Sequence, residues 1–94
     1  MVSHKTIEIG RGYRTFVYKG FVFHITQADN GAGWYCTLAY TQEGRHPINT
    51  AYFTSGDTHY YRMTDVMNGL KKEIDSGVID IEEGSYRLPS RPQT

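Results

Sequence analysis

The stretch FVYKGFVFHITQADNGAGWYCTLAY, residues 16–40, decides the fold. It contains two short turn signals, Lys19-Gly20 and Asn30-Gly31, each flanked by alternating apolar residues. Asn-Gly is typical of a type I′ hairpin turn, which needs a positive φ at both central residues. The stretch therefore predicts two hairpins that share their middle strand.

A turn with Asn30-Gly31 at its tip sets the register of the second hairpin. The pairs on one face are then Gln27–Trp34, Ile25–Cys36, Phe23–Leu38 and Phe21–Tyr40, and those on the other are Val22–Ala39, His24–Thr37 and Thr26–Tyr35. A slip of one residue would destroy this match, because side chains alternate with period two. The small and polar residues beside the tip also allow a longer loop, so the hairpin is better defined than its turn type.

The Lys19-Gly20 turn selects the same apolar face, because it sets Tyr18 opposite Phe21 and Phe16 opposite Phe23. The predicted core face consists of Phe16, Tyr18, Phe21, Phe23, Ile25, Cys36, Leu38 and Tyr40. The alternative is one long strand over residues 13–26 with a bulge at Gly20.

Further strands are predicted at 6–9, with Ile7 and Ile9 on one face, at 13–18, at 47–54 and at 78–81, and residues 85–88 are another candidate. Turns are expected at Gly10-Arg11-Gly12, at Glu43-Gly44 and at Gly84. The strand at 47–54 begins with a proline, which suits a first position or a sheet edge.

A helix is predicted by the stripe Met63, Val66, Met67, Leu70 and Ile74, whose spacing places all five on one face. Its start is at Asp57 or Thr58, the preferred reading, or later at Thr64. Gly77 is expected to end it.

The fold class is therefore α+β. We expect an antiparallel meander of about four to five strands with one helix packed on one face, in the order β-β-β-β-β-α-β. We expect residues 1–88 to form a single domain and residues 89–94, PSRPQT, to form a disordered tail.

The charges cancel, with ten Lys and Arg against ten Asp and Glu. This balance argues against a dedicated nucleic-acid binder, because such affinity comes largely from neutralising phosphates. The single cysteine, Cys36, excludes an internal disulfide and is expected to be a buried, inert thiol. The first residues contain no apolar run, so we expect no signal peptide, no membrane association and a cytoplasmic location.

No motif identifies a catalytic or metal site. The four histidines have no metal-ligand spacing, and Asp80, Glu82 and Glu83 read as a solvated acidic patch. His24 and Cys36 point to opposite sheet faces in the predicted register, which rules out a dyad. An active site would have to be built from residues that nothing groups together, such as Asp57, His59 and Tyr61. We therefore expect no enzyme and no cofactor.

The unusual feature is 13 aromatic residues, eight of them Tyr, which a small core cannot hide entirely. Exposed tyrosines are enriched at protein–protein interfaces, because a rigid ring supplies contact area at a low cost in conformational entropy. One helix covers one face of the sheet, so the other face is expected either to meet a partner or to be covered by the terminal strands. The candidate interface on it is Tyr13, Val22, His24, Thr26, Tyr35 and Thr37. This predicts a protein–protein interaction module, binding another protein or itself as a homodimer, such as an accessory or inhibitory protein of a phage or mobile element.

The alternative is DNA binding. Tyr18-Lys19-Gly20-Phe21, then Gly33-Trp34-Tyr35, then Phe53-Thr54-Ser55 before the helix loosely resemble plant AP2-type and integrase arm-type DNA-binding domains. The resemblance implies a three-stranded sheet that packs on one helix and reads the major groove. The cations on the strands and turns of such a sheet would be Arg14, Lys19 and Arg45.

Overall fold

Four antiparallel strands in chain order form the main sheet in the computed structural model, which describes residues 4–28, 33–50, 62–77 and 79–85. They are β1 (Lys5–Gly10), β2 (Tyr13–Tyr18), β3 (Phe21–Gln27) and β4 (Trp34–Thr41). Then follow β5 (Ile48–Asn49), α1 (Met63–Ser76) and β6 (Asp80–Ile81). This confirms the α+β class, and the order of the described elements broadly fits the predicted one.

The main sheet does not include the fifth strand. β5 pairs with β6 in a separate two-stranded sheet, and one isolated bridge between Tyr40 and Pro47 links it to the main sheet. Pro47 has no backbone N–H, so it cannot donate to a continuing ladder with β4. Of the strand predicted at 47–54, residues 51–54 lie outside the described part of the chain, as do 86–88 of the candidate last strand and the predicted tail.

The first hairpin agrees with the sequence. Lys19 and Gly20 have φ of 49° and 83°, the two positive values of a type I′ turn. Phe16 pairs with Phe23 and Tyr18 with Phe21, as predicted. The alternative of one continuous strand over residues 13–26 is therefore wrong.

The second hairpin departs from the predicted register halfway along. Gln27–Trp34, Thr26–Tyr35 and Ile25–Cys36 are confirmed, but Thr37 is an extra residue in β4. Beyond this bulge the pairs are His24–Leu38, Phe23–Ala39, Val22–Tyr40 and Phe21–Thr41, so the predicted pairs Phe23–Leu38, Phe21–Tyr40, Val22–Ala39 and His24–Thr37 are wrong. The Asn30-Gly31 tip lies outside the described residues.

Because of the bulge at Thr37, the β4 side chains that follow it point to the opposite face from the one predicted. Ala39 is fully buried in the core, where Leu38 was expected, while Leu38 pairs with His24 on the opposite face. Tyr40 also moves to that face. The Thr37 hydroxyl donates to the His24 backbone carbonyl at 3.2 Å, which supplies a hydrogen bond where the ladder is interrupted.

The helix α1 starts later than the preferred prediction. Arg62, just before it, is extended, with φ −120° and ψ 147°, so the helix does not continue back to Asp57 or Thr58, which lie outside the described residues. The later alternative, Thr64, is one residue from the observed start. Gly77 ends the helix as predicted, with φ 76° and its N–H donating to the Ile74 carbonyl.

The predicted helical stripe is confirmed. Val66, Met67 and Leu70 are buried, with Met63 and Ile74 packed at the margin of the core. The core beneath them consists of Phe16, Tyr18, Phe23, Ile25, Cys36, Ala39 and Ile48. Cys36 is a fully buried thiol, as expected.

A polar contact fixes the end of α1 to the first hairpin. The Tyr18 hydroxyl donates to both Asp75 carboxylate oxygens at 2.8 and 3.0 Å, and Lys19 Nζ lies 2.6 Å from Oδ1. The hydrogen bonds from Lys19 and Tyr18 lower the pKa of Asp75. The helix is thereby held over one face of the sheet, which leaves the other face for the candidate site.

Candidate interaction surface

The second face is the side of the main sheet that is turned away from α1. It carries Tyr13, Thr15 and Val17 from β2, Val22, His24 and Thr26 from β3, and Tyr35, Leu38 and Tyr40 from β4. Pairing of Tyr13 with Thr26 and of Thr15 with His24 follows from the Lys19-Gly20 turn. Thr37 lies at its bulge. All six predicted interface residues therefore belong to this face or its bulge.

The side chains at the centre of the second face are buried. Thr15, Val22 and Tyr40 are only 5%, 4% and 7% exposed. Val22, one of the six predicted interface residues, is therefore not accessible to a partner.

His24 joins the buried hydroxyls of this centre. Its Nδ1 lies 2.7 Å from Thr15 Oγ1, and its Nε2 lies 3.3 Å from the Tyr40 hydroxyl. The His24 and Tyr40 rings lie 5.7 Å apart at an angle of 32°. One imidazole thus connects β2, β3 and β4.

Burial lowers the pKa of His24, and the charge of Glu8 on β1 opposes that shift in part. Burial also raises the pKa of Tyr40, so both rings favour their neutral forms. A neutral imidazole has one donor and one acceptor nitrogen, and a hydroxyl can serve as either. Both hydrogen bonds of His24 can therefore form in either tautomer.

A hydroxyl 2.7 Å from an imidazole is also the geometry of a nucleophile and its base. Thr15 is buried, however, so a substrate cannot reach its oxygen in this conformation. Cys36 lies on the helix face, away from His24. We therefore assign the Thr15–His24–Tyr40 contact a structural role. Among the described residues, no three potential metal ligands come together.

The exposed apolar side chains lie at the β1 edge of the sheet, where Tyr13 is on the second face and Ile9, opposite Arg14, is on the helix face. β1 is the first strand of the sheet, and within the described ranges only β2 pairs with it. Ile7, Ile9 and Tyr13 are 56%, 62% and 39% exposed. The Tyr13 hydroxyl donates to Glu8 Oε2 at 3.4 Å. We call Ile7, Ile9 and Tyr13 the edge patch.

Sequence reasoning missed the edge patch because it placed Ile7 and Ile9 on one strand face. The register shifts between Thr6 and Glu8, which leaves Ile7 as the extra residue and sets Ile9 opposite Arg14. No turn residue marks this second bulge. By contrast, the contact of His24 with Thr15 was available from the Lys19-Gly20 register, which sets the two residues opposite each other.

The remaining predicted residues are partly buried. Thr26, Tyr35 and Thr37 are half-buried, and the Thr26 and Thr37 hydroxyls lie 3.4 Å apart. Of the cations that a DNA-binding sheet would use, Arg14 donates to Thr6 on the helix face and Lys19 pairs with Asp75. Arg45 is exposed in the turn after β4.

Fold and surface together define a small α+β domain with a four-stranded meander, one helix and an exposed edge strand. No family model matches the chain, and comparison with curated proteins and with solved structures finds no match either. No described helix is long and apolar enough to cross a membrane. A proposal for its function therefore has to come from the chemistry of its own surface.

Proposed function

We propose that the chain is a non-catalytic protein–protein interaction module that docks a partner along β1. The carrying observation is the pair Ile7 and Ile9, both more than half exposed on the edge strand of the main sheet. Exposed apolar residues grouped at a surface mark interaction sites more often than single ones do.

The mode of binding that suits an edge strand is addition of a further strand. The partner's backbone hydrogen-bonds to the edge, and alternate side chains supply specificity. β1 offers six residues for this pairing. Native proteins often protect such edges with charges or bulges, and β1 has Lys5, Glu8 and a bulge. An edge of this kind favours a partner that complements those charges.

The edge patch supplies the apolar part of the contact. Covering the exposed half of an isoleucine side chain stabilises a complex by about 1 kcal/mol. Tyr13 adds a ring whose hydroxyl already has a partner in Glu8. The proposed interface is thus shifted from the centre of the second face, where Val22 is buried, to the β1 edge of the sheet.

The test is a charge placed in the edge patch. Ile7→Lys and Ile9→Lys are expected to keep the fold, because both side chains are exposed, and to weaken partner binding at least about tenfold. Asn68→Lys is the matched control, since it adds the same charge at an exposed position of α1. Light scattering reports self-association, and retention of host proteins on immobilised domain reports other partners.

The wild-type domain and the Asn68→Lys variant should behave alike in both measurements. If the wild type is a strict monomer that retains nothing, the proposal fails. It fails equally if the two edge variants bind as the wild type does.

A further inference from the structure

We propose that His4, Arg14 and Lys71 form a binding site for one phosphate group, either as inorganic phosphate or as the monoester of a small molecule. The three side chains lie on the helix face of the main sheet, between β2, the start of β1 and α1. The site is separate from the proposed docking of a partner, because no residue of the edge patch belongs to it.

The strand register places Arg14 and its neighbours on the helix face. Thr6 pairs with Phe16, which is buried in the core beneath α1, and Arg14 lies two residues before Phe16 in β2. Residues two apart in a strand share a face. The His4 ring approaches the Phe16 ring edge-on, with 5.7 Å between the centroids and 75° between the planes. His4 and Arg14 therefore meet at the margin of the core.

The third cation comes from α1. Lys71 is half-buried, and its Nζ lies 5.9 Å from the centroid of the Tyr18 ring on β2. Within the described ranges Lys71 forms no hydrogen bond or ion pair through its side chain. Its charge and that of Arg14 both act on the His4 ring. Three basic groups from three parts of the chain thus lie close enough to interact electrostatically.

The Asp75 carboxylate is an acid that acts on Lys71 from the same helix. Its oxygens accept hydrogen bonds from Lys19 and Tyr18, and these bonds lower the pKa of Asp75 more than the charge of Lys71 does. In the described part of the chain, the charges that act on His4 are both positive. Asp75 therefore neutralises Lys19 first and leaves the surroundings of His4 positive.

The hydrogen bonds of this cluster leave one buried donor without an acceptor. Arg14 Nε donates to the Thr6 hydroxyl at 2.9 Å, and Arg14 Nη2 donates to the same hydroxyl and to His4 Nε2, which is 3.3 Å away. A guanidinium can only donate, so His4 Nε2 accepts and the neutral ring carries its proton on Nδ1. That Nδ1 is buried and has no hydrogen-bond partner among the described residues. Such a donor favours the arrival of an accepting group.

A phosphate group supplies both the acceptors and the charge that fit this cluster. It has several accepting oxygens, and a monoester carries close to two negative charges at neutral pH. Arg14 Nη1 makes no hydrogen bond within the described residues, so the outer side of the guanidinium can donate to such an oxygen. Arginine and lysine are the side chains that most often bind phosphate in proteins.

Binding of the anion is coupled to a proton at His4. Burial lowers the pKa of His4, and the charges of Lys71 and Arg14 lower it further. A bound dianion opposes both charges, so the pKa of His4 should rise and the ring should take up a proton from solvent. A protonated His4 no longer accepts from Arg14, and both side chains then donate to the phosphate.

The test is a titration with inorganic phosphate and, separately, with methyl phosphate, followed by the NMR resonances of the histidine rings. Sodium chloride at matched ionic strength is the control for screening. We expect saturable binding with a Kd of about 1 mM or tighter and a rise in the pKa of His4. The ring of His24, on the second face, should not follow the titration. Tighter binding of methyl phosphate would identify the ligand as a phosphorylated small molecule, and tighter binding of inorganic phosphate would identify the ion itself.

Charge-removing variants assign the binding to the cluster. Arg14→Gln should weaken phosphate binding at least about tenfold, because the guanidinium is lost while the amide can still donate to Thr6. Lys71→Gln should weaken it about three- to tenfold. Lys72→Gln and Lys5→Gln are matched controls, since each removes the same charge from an exposed position next to the cluster, and both should bind within about twofold of the wild type.

A second readout keeps the test independent of folding. Without any phosphate, Arg14→Gln and Lys71→Gln should each raise the pKa of His4, because each removes a charge that lowers it. A His4 ring that does not respond to about 20 mM of either phosphate would overturn the proposal. Variants of Arg14 and Lys71 that bind as tightly as the two controls would overturn it as well. Docking at the edge patch is tested separately by Ile7→Lys and Ile9→Lys.

Discussion

The two faces of the main sheet are closed by different interactions. The helix face buries Phe16, Phe23 and Leu70 completely, with apolar contacts between sheet and helix. The centre of the second face is also buried, and there Thr15, His24 and Tyr40 are joined by hydrogen bonds. The first kind of closure depends on volume and the second on protonation, so different perturbations should open each face.

The largest effect is expected on the helix face. Phe23→Ala removes a fully buried ring that lies 5.2 Å from Phe16, and should lower the free energy of unfolding by about 3–5 kcal/mol. Urea unfolding followed by circular dichroism measures this loss. Asn68→Ala, exposed on α1, should change stability by less than about 0.5 kcal/mol. A loss below 1 kcal/mol for Phe23→Ala would mean that the helix does not seal this face.

The bulge at Thr37 allows a second test of the two faces, because it places Ala39 on the helix face and Leu38 on the second face. Ala39→Leu adds volume to a fully packed position and should cost about 1–3 kcal/mol. Leu38→Ala, on the half-buried second face, should cost less than that. A register without the bulge predicts the reverse order, so the two unfolding curves decide between the registers.

The second face should respond to acid. The pKa of His24 is lowered in the folded state below its usual 6.5, so the neutral form is favoured by folding. The stability it contributes is present above about pH 6.5 and is lost as the pH falls toward the folded value. The melting temperature should therefore fall more between pH 7.5 and 5.5 for the wild type than for His24→Gln, whose amide stays neutral.

Glu8 is the charged group that faces His24 from β1, and it opposes the shift. In a Glu8→Gln variant that keeps His24, the pKa of His24 should be lowered further, so the melting temperature should fall more between pH 7.5 and 5.5 than in the wild type. Equal pH profiles for the wild type and His24→Gln would show that protonation of this imidazole does not open the second face.

The smallest effect is expected at the rim of the helix face, at Asp75. Its pKa is lowered below the usual 3.8 by hydrogen bonds from Lys19 and Tyr18. Its contribution is therefore present above about pH 3.8 and disappears as the pH falls through the folded value. Asp75→Asn should melt slightly below the wild type at neutral pH and converge with it in acid. A constant difference down to pH 2.5 would contradict this linkage.

Much of the helix face was predictable, because each of its elements carries a local signal. Lys19-Gly20 specifies its turn, and the stripe from Met63 to Ile74 specifies the helix face. Gly77 specifies the helix end, since a left-handed residue there favours glycine. These signals lie within a few residues of what they determine.

The second face and the β1 edge were predictable only in part. The two bulges, at Ile7 and Thr37, shift side chains from one face to the other, and no glycine or other turn residue at either position predicts them from the sequence. Leu38 and Ala39 are both apolar, so alternation alone cannot choose between them, and the outcome depends on the space left beneath α1. The interface residues chosen from alternation therefore included Val22, which is buried, and omitted Ile7 and Ile9, which are exposed.

The fully buried Cys36 gives this domain a reporter of its own motions. Its thiol lies in β4 within the core beneath α1, and a reagent can reach it only when that packing opens. The rate of alkylation in native buffer would thus measure how often sheet and helix separate, without any added label. Since the chain has a single cysteine, every modified molecule would report on the same opening event.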